Sequence, residues 1–145
     1  MYLLPTAQIE HLLLHAQAAL PREAAGLLLR RDFKRFAILS VVGTSSMENT
    51  LISFRIRDAA IKKIAESLQG SGTTICGCFH SHVVGAARPS SHDSAATKEA
   101  GDLWLIYSVR FRDLNLYRWD GTTFQKERFL IAPSPTVSQR VSDRE

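Results

Sequence analysis

Two β-compatible runs, Leu114–Trp119 and Thr122–Phe129, flank Asp120-Gly121 late in the chain. No other feature restricts the possible folds as much. Asp-Gly accepts the positive φ that a tight hairpin turn needs, so these runs predict an antiparallel pair. Upstream, helical and extended patterns interleave, as in chains that build a parallel sheet. A late hairpin is incompatible with a purely parallel sheet, so the expected class is α/β with one mixed sheet.

The remaining elements follow from periodicity. Thr6 is placed to cap a first helix whose apolar positions are Ile9, Leu12, Leu13, Ala16, Ala19 and Leu20, with Pro21 ending it. Ala24–Leu29 and Phe36–Val42 read as strands, and the charged segment Arg30–Arg35 between them reads as a hairpin tip. Asp58 is placed to cap a second helix with Ala60, Ile61, Ile64, Ala65 and Leu68 on its apolar face, stopped by Gly70-Ser71-Gly72. Thr73–Phe79 reads as a strand, Ser90–Gly101 as a third helix and Leu103–Val109 as a buried strand. From Ala132 to Glu145 the chain is rich in Pro, Ser and charge, which predicts a domain over 1–131 and a flexible tail over 132–145.

The chain has 145 residues, enough for a single domain with a substantial core. A net charge of +4 is mild and points weakly to acidic partners, not to a dedicated nucleic-acid binder. Basic Arg30–Arg35 has no recognised nucleic-acid motif or aromatic platform beside it, so no nucleic-acid partner is expected. It reads as a solvated tip, or as a means of steering an acidic partner. Met1–Leu20 carries no Lys or Arg, and no run of roughly 18 apolar residues spans a bilayer, so neither a secretory signal nor a membrane span is expected. Two cysteines are too few for a disulfide framework, and a reducing cytoplasm is the expected compartment.

The strand Thr73–Phe79 leads into His80-Ser81-His82, followed by Ser90 and Asp93. On a strand, i and i+2 side chains share a face roughly 6.6 Å apart. Two imidazoles so placed can converge on one ion at about 2.0–2.1 Å. The loop Val83–Pro89 can fold the start of the third helix back over the strand end, which would add the Asp93 carboxylate. Three protein ligands leave one position open, as a catalytic zinc site requires. Ser90-x-x-Asp93 also fits a helix capping box, and a serine can cap a helix and face a metal site at once. A hydrolytic site also needs a base, and the best candidate is Glu23, just before an apolar strand, although an acid there can equally be an exposed end residue.

His11 and His15, off the apolar stripe of the first helix, read as exposed, and Leu12 after His11 rules out an HExxH site. His92 reads as an exposed first-turn residue or a neighbour of the metal ligands. Cys76 and Cys78 alternate along the strand on the His80 face and read as buried thiols, with a redox or metal role as the alternative. The H-x-E and P-C-x-x-C signature of zinc deaminases is absent.

Glu23 in its Gly-Leu-Leu context, His80-Ser81-His82 and Ser90-x-x-Asp93 together resemble the JAMM/MPN (Mov34/MPN/PAD-1, JAB) zinc metalloproteases of the short prokaryotic type. The resemblance runs from roughly Ile9 to Phe129. It departs at Val83, where the family usually carries proline, which loosens the backbone after the second histidine. The resemblance implies a curved mixed β-sheet flanked by helices, similar to cytidine deaminases. It implies Zn²⁺ held by His80, His82 and Asp93, with Glu23 as general base and Ser90 as hydrogen-bond donor to the oxyanion. The implied reaction is peptide or isopeptide hydrolysis. The implied substrate is a small ubiquitin-like or sulfur-carrier protein, or a peptide conjugate, whose tail could add as a strand beside the site. The alternative is a non-catalytic MPN-type protein-binding scaffold.

Overall fold

The computed structural model of the protein describes residues 1–43, 58–95 and 98–133. In chain order these form β1 (Tyr2–Pro5), α1 (Thr6–Ala19), β2 (Ala25–Asp32), β3 (Ala37–Gly43), α2 (Asp58–Ser67), β4 (Thr73–His82), α3 (Ser91–Ala95), β5 (Leu103–Ser108), β6 (Asp113–Trp119), β7 (Phe124–Glu127) and β8 (Phe129–Ala132). All eight strands join one sheet in the order β7-β6-β5-β4-β2-β3-β1-β8. The expected mixed sheet is present: β4 runs antiparallel to β2 and parallel to β5, while β6 pairs antiparallel with β5 and β7.

The late hairpin forms at Asp120-Gly121, where Asp120 Oδ1 accepts from the Thr122 and Thr123 backbone N–H groups and Gly121 takes a φ of 103°. The expected second strand Thr122–Phe129 is split. β7 pairs with β6, but one residue later β8 pairs in parallel with β1 at the far end of the sheet. Arg128 alone separates them, so the two ends of the sheet are brought together and the sheet is nearly closed.

β1 has no counterpart among the predicted elements. Four residues ending in proline are too short to show a period, yet Leu4 is fully buried and β1 fills the gap between β3 and β8. Thr6 is the first residue of α1 and does not cap it. Its Oγ1 donates instead to the Ala132 carbonyl at 3.1 Å, beside the Pro5–Ala132 pairing. Ala132, expected in the tail, is therefore the last residue of β8, and residues 134–145 lie outside the described residues.

One face of the sheet is covered by α1. Leu12 of the helix packs with Leu4, Leu28, Leu39, Val41, Phe79, Leu103, Leu105 and Leu116, each side chain contributing about 1.5–3 kcal/mol of burial. The opposite face holds a smaller cluster of Ala87, Trp104, Ile106 and Tyr117, with Cys78 and Phe124 against it. Ile61 and Ile64 of α2 and Leu68 just after it are half-buried but Ala65 is exposed, and the side chains of Asp58 and Ala60 lie outside the described residues. The predicted helix Ser90–Gly101 is helical over Ser91–Ala95, and Lys98 and Glu99 have left it.

Two features of β4 set its side-chain directions. Leu28 pairs with Gly77 and Leu29 with Ile75, so Cys76 is an extra residue in a β-bulge. The bulge resets the alternation: Cys76 packs on the α1 side and Cys78 on the opposite side, so they do not share a face as expected. At Gly77 a Cβ would be driven into the Leu103 carbonyl, so only glycine permits this approach of β4 to β5. At the hairpin tip, Phe33 stacks on Phe36 at 4.9 Å and Arg31 lies over the Phe33 ring. The basic tip thus does carry an aromatic pair, contrary to expectation. Among the described residues no helix is long and apolar enough to cross a membrane.

Candidate metal centre

His80 and His82 lie within β4, not beyond its end, and their register partners on β5 are Ile106 and Ser108. Being inside the ladder, both imidazoles are held by strand pairing. They share the face opposite Phe79, as their spacing requires. His80 is fully buried, its ring meeting Trp104 edge-on at 5.7 Å, and His82 is buried beside it.

Asp93 reaches them from α3 and is itself buried. Its Oδ1 lies 3.1 Å from His80 Nε2 and its Oδ2 lies 3.4 Å from His82 Nε2, and the two Nε2 atoms are 3.0 Å apart. Tetrahedral donors at Zn–N distances of about 2.0–2.1 Å stand roughly 3.3 Å from one another. The separation of the two imidazole nitrogens is close to that value and the Asp93 carboxylate reaches both of them, which is compatible with one ion held by the three side chains. Among the described residues these are the side chains grouped closely enough to hold a metal ion. The tautomer fits as well. His82 Nδ1 donates to the Ala86 carbonyl at 2.8 Å, which leaves the Nε2 lone pair for a ligand.

The electrostatics are consistent with a cation site. Burial pushes His80 below the usual imidazole range, towards the neutral form that ligates. Burial opposes charge on His82 too, but hydrogen bonds to Asp93 and Ala86 outweigh it and its pKa moves up. Burial likewise opposes the Asp93 carboxylate, but hydrogen bonds from the two histidines and the Ser90 N–H hold it well below the usual carboxylate range.

Glu23 sits between α1 and β2, half-buried. Burial is the main influence, raising its carboxyl from 4.5 to about 7; His82 opposes the rise and Asp93 adds to it, so the group stands within electrostatic range of both ligands. What places it there is Ser81, whose importance the sequence did not reveal. Ser81 points away from the histidines, and its Oγ accepts from the Ala24 N–H at 2.8 Å while its N–H donates to the Ala24 carbonyl at 3.0 Å. The middle residue of His-Ser-His thus fastens the residue after Glu23 to the ligand strand.

Ser90 makes the full capping box. Its N–H donates to Asp93 Oδ2 at 2.7 Å, its Oγ donates to the same oxygen at 3.2 Å, and the Asp93 N–H donates to Ser90 Oγ at 3.3 Å. The cap aims the Asp93 carboxylate, so capping and metal holding are one arrangement. The looseness expected at Val83 is offset by three successive carbonyls of the loop. Gly85 accepts from Ser108 Oγ at 2.7 Å, Ala86 from His82, and Ala87 from Tyr117 Oη and Asn115 Nδ2, each at 2.9 Å. Three of these anchors, Ser108, Asn115 and Tyr117, lie far along the chain, out of reach of a local motif.

His11 and His92 are exposed, as expected. His15 is not. It is half-buried, packs edge-on against Phe79 at 5.9 Å and fills the space beside Gly43, where a Cβ would come within 2.6 Å of its ring. Both cysteines are free, and burial pushes their thiols up, Cys76 to about 12, which makes them poor nucleophiles.

A nearly closed mixed sheet that brings two strand histidines and a helix-borne aspartate close enough to hold an ion defines an α/β domain with a candidate metal site. The prokaryotic homologs of the JAB domain match residues 5–120, and the chain belongs to this family. Its fold is similar to the solution structure of a protein from Desulfitobacterium hafniense (24% identity, 92% of this chain and 94% of that one covered, TM-score 0.83). It is also similar to the crystal structure of a JAB1/MPN domain protein from Archaeoglobus fulgidus (17% identity, 89% and 95% covered, TM-score 0.55). No curated protein matches the sequence.

Proposed function

We propose that the chain is a zinc-dependent peptidase or isopeptidase that hydrolyses an amide bond at the C-terminus of a small ubiquitin-like or sulfur-carrier protein. The observation that carries this reading is Glu23, a carboxyl raised to about 7, chiefly by burial, that also feels His82 and Asp93 of the candidate ligand set. A general base works best with a pKa near the working pH, and an ordinary surface glutamate lacks that property. His80, His82 and Asp93 would hold a zinc ion, which would supply Lewis-acid polarisation of water and of the scissile carbonyl. Glu23 accepts the proton of the attacking water and delivers it to the leaving amine. Ser90 Oγ turns its hydrogen from Asp93 to the carbonyl oxygen as negative charge builds there. Asp93 Oδ2 keeps the shorter bond from the Ser90 N–H during that exchange.

β4 is paired on both sides, so a substrate tail has no free edge on the ligand strand itself. The tail is expected to cross the C-terminal ends of β4 and β5. The two free, half-buried thiols favour a reducing, cytoplasmic setting.

The test is zinc reconstitution followed by cleavage of a ubiquitin-like protein fused through Gly-Gly to a reporter. The wild type should bind about one zinc and cut. Glu23→Gln should keep the zinc and lose about 10²–10⁴-fold in rate. Absence of zinc after reconstitution, or undiminished turnover in Glu23→Gln, would refute the proposal. Zinc binding without cleavage would favour the protein-binding scaffold.

A further inference from the structure

Lys98 connects the supports of two metal ligands that come from different elements. Its Nζ donates to the Asp93 carbonyl at 2.9 Å and to the Ser94 carbonyl at 2.8 Å. The same ammonium stands 4.1 Å from the centroid of the Trp119 ring, 5.3 Å from Phe124 and 5.7 Å from Trp104. Phe124 packs edge-on against Trp104 and Trp119, at 5.2 and 4.9 Å. Trp104 is also the ring that meets His80. The backbone just after Lys98 is tied down, with the Gly101 N–H donating to the Trp119 carbonyl at 2.7 Å and the Trp119 N–H to the Asp102 carbonyl at 2.9 Å.

The helical residues described, Ser91–Ala95, make a single turn, far below the length at which helices persist alone. A cation at that end satisfies the carbonyls and suits the helix dipole, and aromatic faces hold the same cation from the other side. Asp93 belongs to this turn, so what secures the turn also secures the carboxylate. We propose that Lys98 is the positioning residue of the metal centre: it ties the Asp93 turn to the aromatic cluster behind His80 and so fixes the carboxylate relative to the imidazoles. This rests on the metal-centre reading above.

The experiment uses the full chain, with zinc affinity measured by chelator competition and ligand geometry by the visible spectrum of the Co²⁺-loaded protein. Unfolding of the metal-free forms is followed in parallel. Lys98→Met keeps the stem but removes the charge. It should weaken zinc binding by about tenfold or more and shift the Co²⁺ bands. Lys98→Arg, which keeps a cation and its donors, should restore most of the affinity. Trp119→Leu should weaken binding in the same direction, and it decides the matter with Lys98→Arg if Lys98→Met does not fold. Wild-type affinity and spectrum in Lys98→Met or Trp119→Leu, or equal losses in Lys98→Met and Lys98→Arg, would overturn the proposal. Failure of the wild type to bind zinc would instead overturn the metal-centre reading.

Discussion

Glu23 and Asp93 are two carboxylates of one site, driven in opposite directions by their surroundings. Glu23 is desolvated and raised to about 7, whereas Asp93 receives enough hydrogen bonds to outweigh its burial and stays ionised. Cleavage should therefore be lost at low pH as Glu23 takes up a proton, a limb that a pH–rate profile of the zinc-loaded protein would show and Glu23→Gln would lack. Stability carries the opposite sign. A glutamate raised from 4.5 to about 7 favours folding in its protonated form. That contribution is complete below the unfolded value and lost as pH rises through about 7. In the metal-free protein Glu23→Gln should thus gain about 1 kcal/mol at pH 8, discounted for solvent screening, and almost nothing at pH 4, by thermal unfolding. The ligand types were legible because His-x-His and Ser-x-x-Asp are local patterns. Ser81 and Lys98 were not, because their partners Ala24, Trp119 and Phe124 are brought to them by tertiary pairing.

Among the elements, β4 carries the most. The sequence marks it as a strand through Thr73, Thr74, Ile75 and Phe79, and periodicity puts the histidines on one face. The bulge at Cys76 has no such signature, because it is a mismatch with β2 and exists only once the two strands pair. α3 is shorter than the predicted Ser90–Gly101 for a similar reason: Lys98 and Glu99 are helix-compatible in sequence but are taken by contacts to α3's end and to the Asp102 turn. Gly77 tests how closely β4 must approach β5. Gly77→Ala should cost about 1–3 kcal/mol in urea unfolding, since the new methyl meets backbone that cannot yield cheaply.

For the whole molecule, the late hairpin correctly excluded a parallel sheet, but the closure through Arg128 was invisible. Thr122–Phe129 reads as one run, and only the pairing of β8 with β1 divides it. Phe129 packs on the α1-side core from that far edge, with three strands between β8 and the strand that bears the histidines. Phe129→Ala should therefore lower stability by about 1–3 kcal/mol yet leave zinc affinity within about twofold of wild type, because distant sites act independently. The same closure orders events during synthesis. β1 is the first strand made, yet one of its two neighbours, β8, is made last, so the two must be joined across almost the whole described chain. Such long-range pairing is slow to nucleate. Glu23, His80, His82 and Asp93 all leave the ribosome before β8 does, so the residues of the candidate metal centre are available to one another while the ring of strands is still open.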